Sequence, residues 1–70
     1  MLPHQVRIAI ADDNRDTAQA LSRLLRLHGY NIAAAVHDGA EALVAIQRER
    51  PTVALLDIGM PRMSGLEVAL

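Results

Sequence analysis

The sequence predicts an α/β fold built on a parallel sheet, and two observations carry this prediction. Short apolar runs typical of strands alternate along the chain with segments whose apolar residues recur at helical spacing. Alternation of this kind indicates parallel strands joined by right-handed helical crossovers. The 70 residues are 51% apolar and 21% charged, which is typical of a globular chain rather than a disordered one.

The first predicted strand and helix lie within residues 6–28. Residues 6–11 form a short apolar run, and Asn14 is placed to cap a helix at its start. Gly29 follows this helix at the position where a left-handed residue ends many helices. Residues at helical spacing predict a buried stripe made of Ala18, Leu21, Leu24, Leu25 and His28.

A second strand, a second helix and a third strand follow. Residues 31–36 predict a strand of small side chains, after which Asp38 and Glu41 have the spacing of a capping box. Pro51 is expected to stop this helix. Residues 52–56 are mostly apolar, as expected for a strand that is covered on both faces. The stripe of the second helix is predicted to consist of Ala42, Leu43 and Ile46.

The composition argues against several classes of protein. No apolar run approaches the about 20 residues of a membrane span, and the first residues lack the pattern of a signal peptide. The chain has no cysteine, which favours a cytoplasmic location. A net charge of −1 and a single aromatic residue, Tyr30, argue against a nucleic-acid partner for this segment.

Three acidic residues directly follow predicted strands. Asp12 and Asp13 follow the first strand, and Asp57 follows the third. Because the carboxyl ends of parallel strands lie at one rim of a sheet, we expect these carboxylates to lie close together. Two carboxylates about 4 Å apart repel each other by about 4 kcal/mol at an effective dielectric constant of about 20. The chain has no lysine to offset this repulsion, so Mg²⁺ or Mn²⁺ is expected as a cofactor.

The positions of the acids on the rim suggest different roles. Asp57 stands alone and is the candidate nucleophile toward phosphorus, whereas Asp12 and Asp13 are candidate metal ligands beside it. Gly59, in the loop that follows, allows close approach of the backbone and so favours a carbonyl ligand there. The three histidines have no spacing typical of a metal site.

Three segments, in this order and spacing, resemble a response-regulator receiver domain of the CheY-like type. They are Asp-Asp-Asn at 12–14, Leu-Leu-Asp-Ile-Gly-Met-Pro at 55–61 and Met-Ser-Gly-Leu-Glu at 63–67, where Ser64 replaces a more usual Asp. The resemblance implies a flavodoxin-like parallel sheet, in which the three strands of this chain take the order 2-1-3.

The resemblance also implies a function in two-component signal transduction. Asp57 matches the phosphoacceptor, Asp13 the direct metal ligand, Asp12 the acid that acts through water, and Gly59 the residue whose carbonyl binds the metal. The metal set is therefore Asp12, Asp13, Asp57 and Gly59. The expected partner is a sensor histidine kinase or a phosphotransfer protein. Such a chain is a signalling phosphoacceptor rather than an enzyme with turnover.

Residues 1–70 are predicted to be one partial receiver domain, the N-terminal βαβαβ(α) half. A complete domain of this kind needs about 120 residues in five βα units. The family's hydroxyl residue after strand four, its lysine after strand five and its switch aromatic have no matching positions among these 70 residues. We therefore expect phosphotransfer to be impaired.

A second interpretation stays open, in which the chain is an interaction or dimerisation module that does not switch. With either function the third strand presents an unpaired edge, and any folded form is expected to be at least a homodimer, paired through this edge or through apolar helix faces. A monodisperse monomer that melts cooperatively would contradict the dimer. Phosphotransfer from acetyl phosphate that depends on Asp57 would favour the phosphoacceptor.

Overall fold

The computed structural model describes residues 2–57. Within them the elements are a 3-10 turn (Pro3–Gln5), β1 (Arg7–Ala11), α1 (Arg15–Leu27), β2 (Asn31–Val36), α2 (Gly39–Glu49) and β3 (Val53–Leu56). They follow the predicted order with boundaries shifted by about one residue. Neither helix of this range is long and apolar enough to cross a bilayer. The loop that contains Gly59 and the motif at 63–67 lie outside the described residues.

The three strands form one parallel sheet in the order β2-β1-β3, which confirms the predicted fold class. The middle strand, β1, is buried from Ile8 to Ala11. Ile8 lies opposite Val53, and the pairing continues in register to the end of both strands. The carboxyl ends of the three strands therefore lie along one rim.

One extra residue interrupts the pairing of β2 with β1. Ile8 is opposite Ile32, whereas the next residue, Ala9, is opposite Ala34. Ala33 consequently has no partner in β1, and the shift has the form of a β-bulge.

The two helices lie on opposite faces of the sheet. Under α1, the core contains Ile8, Ile10 and Ala18, with Val6, Leu21, Leu25, Tyr30 and Ile32 packed against them. Under α2, the core contains Ala11 and Ala42, with Val36 and Leu56 packed against them. Small side chains dominate the core under α2, and they allow this helix to approach the sheet closely.

The prediction that the third strand is covered on both faces is wrong for the described part of the chain. Val53 and Leu55 remain 38% and 37% exposed, although they lie on the same face as Ile8 and Ile10. The reason is the position of α1, which packs over β1 and β2.

Both predicted signals at the ends of α1 are confirmed. Asn14 caps the start, where its side-chain oxygen accepts a hydrogen bond of 3.0 Å from the N–H of Thr17. Gly29 takes a φ of 89° after the last turn, and the N–H of Tyr30 donates to the carbonyl of Leu25 at 3.1 Å. This bond closes the helix in the manner of a Schellman motif.

The ends of α2 match the sequence less closely. The Asp38 side chain accepts from the N–H of Glu41 at 2.8 Å, as predicted. The Glu41 carboxylate, however, accepts from the N–H of His37 at 3.1 Å, one residue before the capping position. The helix ends at Arg50, which takes the left-handed conformation (φ 47°) immediately before Pro51. A residue with a Cβ is strained in this conformation.

The apolar stripes predicted for α1 and α2 do not coincide fully with the faces that are buried. Leu24 is 51% exposed and His28 is exposed, whereas Ser22 is buried in α1. In α2, Leu43 is 41% exposed and Ala45 is buried. Helical spacing places Leu24 and Leu43 next to the buried faces of their helices. The faces that contact the sheet are centred on smaller side chains.

Replacing Arg50 by glycine is expected to stabilise the fold by about 0.5–1 kcal/mol, because glycine adopts a positive φ without steric strain. Urea denaturation followed by circular dichroism measures the difference in unfolding free energy. Arg50→Ala is the matched control, since it removes the same side chain but keeps the Cβ. Alanine that stabilises as much as glycine would contradict the explanation.

Replacing Leu25 by alanine is expected to lower the unfolding free energy by about 2–3 kcal/mol, because Leu25 packs on the core under α1. Leu24→Ala, the neighbouring control, is expected to change it by less than about 0.5 kcal/mol. The same denaturation experiment checks both variants. Equal losses would show that α1 is rotated relative to this description.

Candidate metal centre

The parallel hydrogen bonding continues one residue beyond the ends of β1 and β3. The N–H of Asp12 donates to the carbonyl of Val36 at 3.0 Å, and the N–H of Asp57 donates to the carbonyl of Ala11 at 2.9 Å. The backbones of both aspartates are therefore still held by the sheet. Because β1 and β3 are adjacent and parallel, Asp12 and Asp57 leave the sheet side by side.

The structure brings the three predicted acids together at this rim. One carboxylate oxygen from each of Asp12, Asp13 and Asp57 lies within 4.8 Å of the other two. Asp12 and Asp57 are half-buried, and Asp13 is exposed. Gly59, the predicted carbonyl ligand, lies outside the described residues.

The donor set fits a hard divalent cation. All three groups are carboxylates, and Mg²⁺ and Mn²⁺ prefer oxygen ligands of this kind. Mg²⁺ commonly keeps several waters and uses one or two protein carboxylates, so a cluster open to solvent at Asp13 suits it. Asp12, Asp13 and Asp57 are the described residues that would hold such an ion.

Asp12 is held by contacts on its side chain as well as on its backbone. One carboxylate oxygen of Asp12 accepts a hydrogen bond of 2.9 Å from the N–H of Asn14. Asn14 is also the residue that caps α1 through Thr17. The orientation of the Asp12 carboxylate is therefore coupled to the start of the helix.

His37 is a neighbour of the site that the sequence did not indicate. Its ring Nδ1 lies 3.1 Å from the carbonyl oxygen of Asp12. Because a carbonyl oxygen can only accept, Nδ1 carries the proton in this contact. Its spacing to the other histidines does not indicate this contact, whereas its position directly after β2 places it at the same rim as Asp12.

Comparisons with known proteins agree with this geometry. The family model described as the response regulator receiver domain matches residues 8–69. The response regulators MprA of Mycobacterium tuberculosis (strain ATCC 25618 / H37Rv) and Mycobacterium ulcerans (strain Agy99) are each 48% identical to the chain over 63 residues. MprA of Mycobacterium avium (strain 104) is 46% identical over the same length.

These alignments cover most of the chain but a small part of each relative. Each spans 90% of this chain and 27% of the relative, so the chain matches about a quarter of the length of these curated proteins. The matched range contains all three clustered aspartates. The resemblance predicted from the motifs is confirmed, and the chain belongs to the response regulator receiver domain family.

Proposed function

We propose that this chain accepts a phosphoryl group on Asp57 from the phosphohistidine of a sensor histidine kinase or a phosphotransfer protein. The observation that carries the proposal is the approach of three carboxylate oxygens, from Asp12, Asp13 and Asp57, to within 4.8 Å of one another. Membership of the receiver family supports a role in two-component signalling and a histidine kinase or similar phosphodonor as partner. The chain is then a partial receiver domain that acts as a signalling acceptor rather than an enzyme with turnover.

Asp57 is the nucleophile in this proposal. A carboxylate oxygen of Asp57 attacks phosphorus and an O–P bond forms while the P–N bond of the phosphohistidine breaks. The electron pair of that bond returns to the imidazole nitrogen, and the product on Asp57 is an acyl phosphate. The hydrogen bond from the Asp57 N–H to the carbonyl of Ala11 holds the acceptor backbone at the end of β3, which favours a fixed geometry of attack.

Asp12 and Asp13 form the metal side, with the Gly59 carbonyl as a further ligand. When bound, Mg²⁺ or Mn²⁺ supplies positive charge that offsets the carboxylates and the phosphoryl oxygens. Asp13 is exposed, which supports direct ligation. Asp12 already accepts a hydrogen bond from the N–H of Asn14, which supports a role through a water molecule.

A second candidate function is favoured by a separate observation on β3. Val53 and Leu55 are more than a third exposed, and no strand among residues 2–57 pairs with the outer edge of β3. An open strand edge with apolar side chains is a template for pairing with another strand. On this basis the chain would be a module that forms a homodimer through β3, and its assembly would not depend on the carboxylates.

Acetyl phosphate with Mg²⁺ is expected to phosphorylate the wild-type chain on Asp57, and Asp57→Asn is expected to abolish the reaction because it removes the nucleophile. Intact mass spectrometry measures the phosphoryl adduct, and treatment with hydroxylamine identifies it as an acyl phosphate. The chain has no lysine, so the measured mass is not increased by acetylation of lysine side chains by the donor.

Asp16→Asn is the matched control for this experiment. It makes the same change of charge at an exposed acid in the first turn of α1, and it is expected to leave phosphorylation intact. Labelling of the Asp57→Asn chain at the wild-type level would contradict the assignment of the acceptor. A folded wild-type chain that takes no label would favour the dimerisation module.

Asp13→Asn is expected to weaken binding of Mn²⁺ by at least about tenfold, because it replaces an ionised oxygen ligand by a neutral amide. Isothermal titration calorimetry measures the affinity, and circular dichroism checks that the variant is folded. Asp16→Asn again serves as the control and is expected to bind Mn²⁺ nearly as well as the wild type. Equal weakening by the two variants would show a general effect of charge rather than a metal site.

A further inference from the structure

A groove lies between α1 and β2, and none of the clustered carboxylates lines it. Its volume is about 640 Å³, within the about 300–1,000 Å³ of many ligand sites. We call it the basic groove, and the residues that line it include Arg15, Arg23, Arg26 and the apolar Leu27 of α1, Ala35 of β2, and His37.

The basic groove concentrates positive charge in a chain whose net charge is −1. Arg15, Arg23 and Arg26 all line it, and no acidic residue of the described part of the chain does so. The ion pairs found within residues 2–57 use other arginines, both with Glu49. The three groove arginines are exposed and make no ion pair within that range.

The three arginines are spread along the length of the helix. Arg15 and Arg26 are eleven residues apart in α1, which corresponds to about 16 Å along the helix axis. A single phosphate or carboxylate would contact both of them only if the two long side chains bent toward the middle of this span. An extended peptide advances about 3.3 Å per residue, so about five residues span the same distance.

The other side of the groove suits an extended segment. Ala35 lies exposed on the α1 face of β2, and its small side chain leaves room above the sheet. Within the described residues β2 pairs on one side with β1, and its outer edge has no partner strand. Edges of this kind accept an added strand through backbone hydrogen bonds.

We propose that the basic groove binds an acidic segment of a partner protein in extended conformation, with its carboxylates paired to Arg15, Arg23 and Arg26. A short acidic segment fits better than nucleic acid, because the chain carries a net charge of −1 and has a single aromatic residue on which a base could stack. The inference goes beyond phosphotransfer, since it uses none of the clustered carboxylates.

The test uses the full chain and a fluorescein-labelled hexaglutamate peptide, with fluorescence anisotropy as the readout. The peptide is expected to bind, and the double variant Arg23→Gln/Arg26→Gln is expected to weaken binding about tenfold, because two charge-assisted pairs are lost. The control is Arg48→Gln/Arg50→Gln, which removes the same charge from the end of α2 on the opposite face and is expected to leave the affinity unchanged. A hexaglutamine peptide is expected not to bind.

A second measurement does not depend on the variants. In ¹H–¹⁵N correlation spectra of the wild-type chain, hexaglutamate is expected to shift the amides of α1 and of Ala35 more than those of α2. Three results would overturn the proposal: no binding of hexaglutamate, equal weakening by the two double variants, or tighter binding of a deoxynucleotide hexamer than of the peptide. Displacement of the peptide by equimolar inorganic phosphate would also overturn it in favour of a small-anion site.

Discussion

The parallel pairing of β3 with β1 in a single register is the interaction on which the candidate site depends. At the start of β3 the N–H of Thr52 donates to the carbonyl of Arg7 at 2.8 Å, and the Thr52 hydroxyl accepts from the N–H of Arg7 at 3.2 Å. The Arg7 guanidinium also donates to the carbonyl of Glu49 at 2.6 Å, which ties the end of α2 to the same place. A slip of one residue would turn Asp57 to the other face of the sheet and separate it from Asp12. The contacts at one end of the strand thus determine the chemistry at the other end.

The rim is also joined to both helices by short contacts. Asn14 caps α1 with its side-chain oxygen and donates its backbone N–H to Asp12, so one residue serves the helix and the site. On the other side, His37 contacts the Asp12 carbonyl while its own N–H is held by Glu41 of α2. The position of Asp12 is therefore set by the sheet and by the first turns of both helices. Such support is what a site needs when its carboxylates repel one another.

The features of the sequence that act locally were predictable, and those that depend on packing were not. Asn14 and Gly29 act through hydrogen bonds and φ angles of neighbouring residues, so their roles follow from residue type and spacing. The clustering of the acids followed from strand direction alone. By contrast, Leu24 and Leu43 are exposed because the sheet contacts another part of each helix, and helical spacing does not contain that information.

Because Ala33 in β2 has no partner in β1, the pairing of the rest of β2 does not depend on whether this residue is present. If Ala33 were absent, the residues after it would still lie on the same faces of the sheet. They would also lie opposite the same residues of β1. A homologue that lacks this residue would still place the equivalents of Ala35 in the groove and of His37 beside Asp12. Evolution can therefore vary the length of the chain here at little structural cost. An alignment of relatives that puts the gap elsewhere in β2 would shift the residues between the two gap positions by one. It would therefore assign those residues to the wrong face of the sheet.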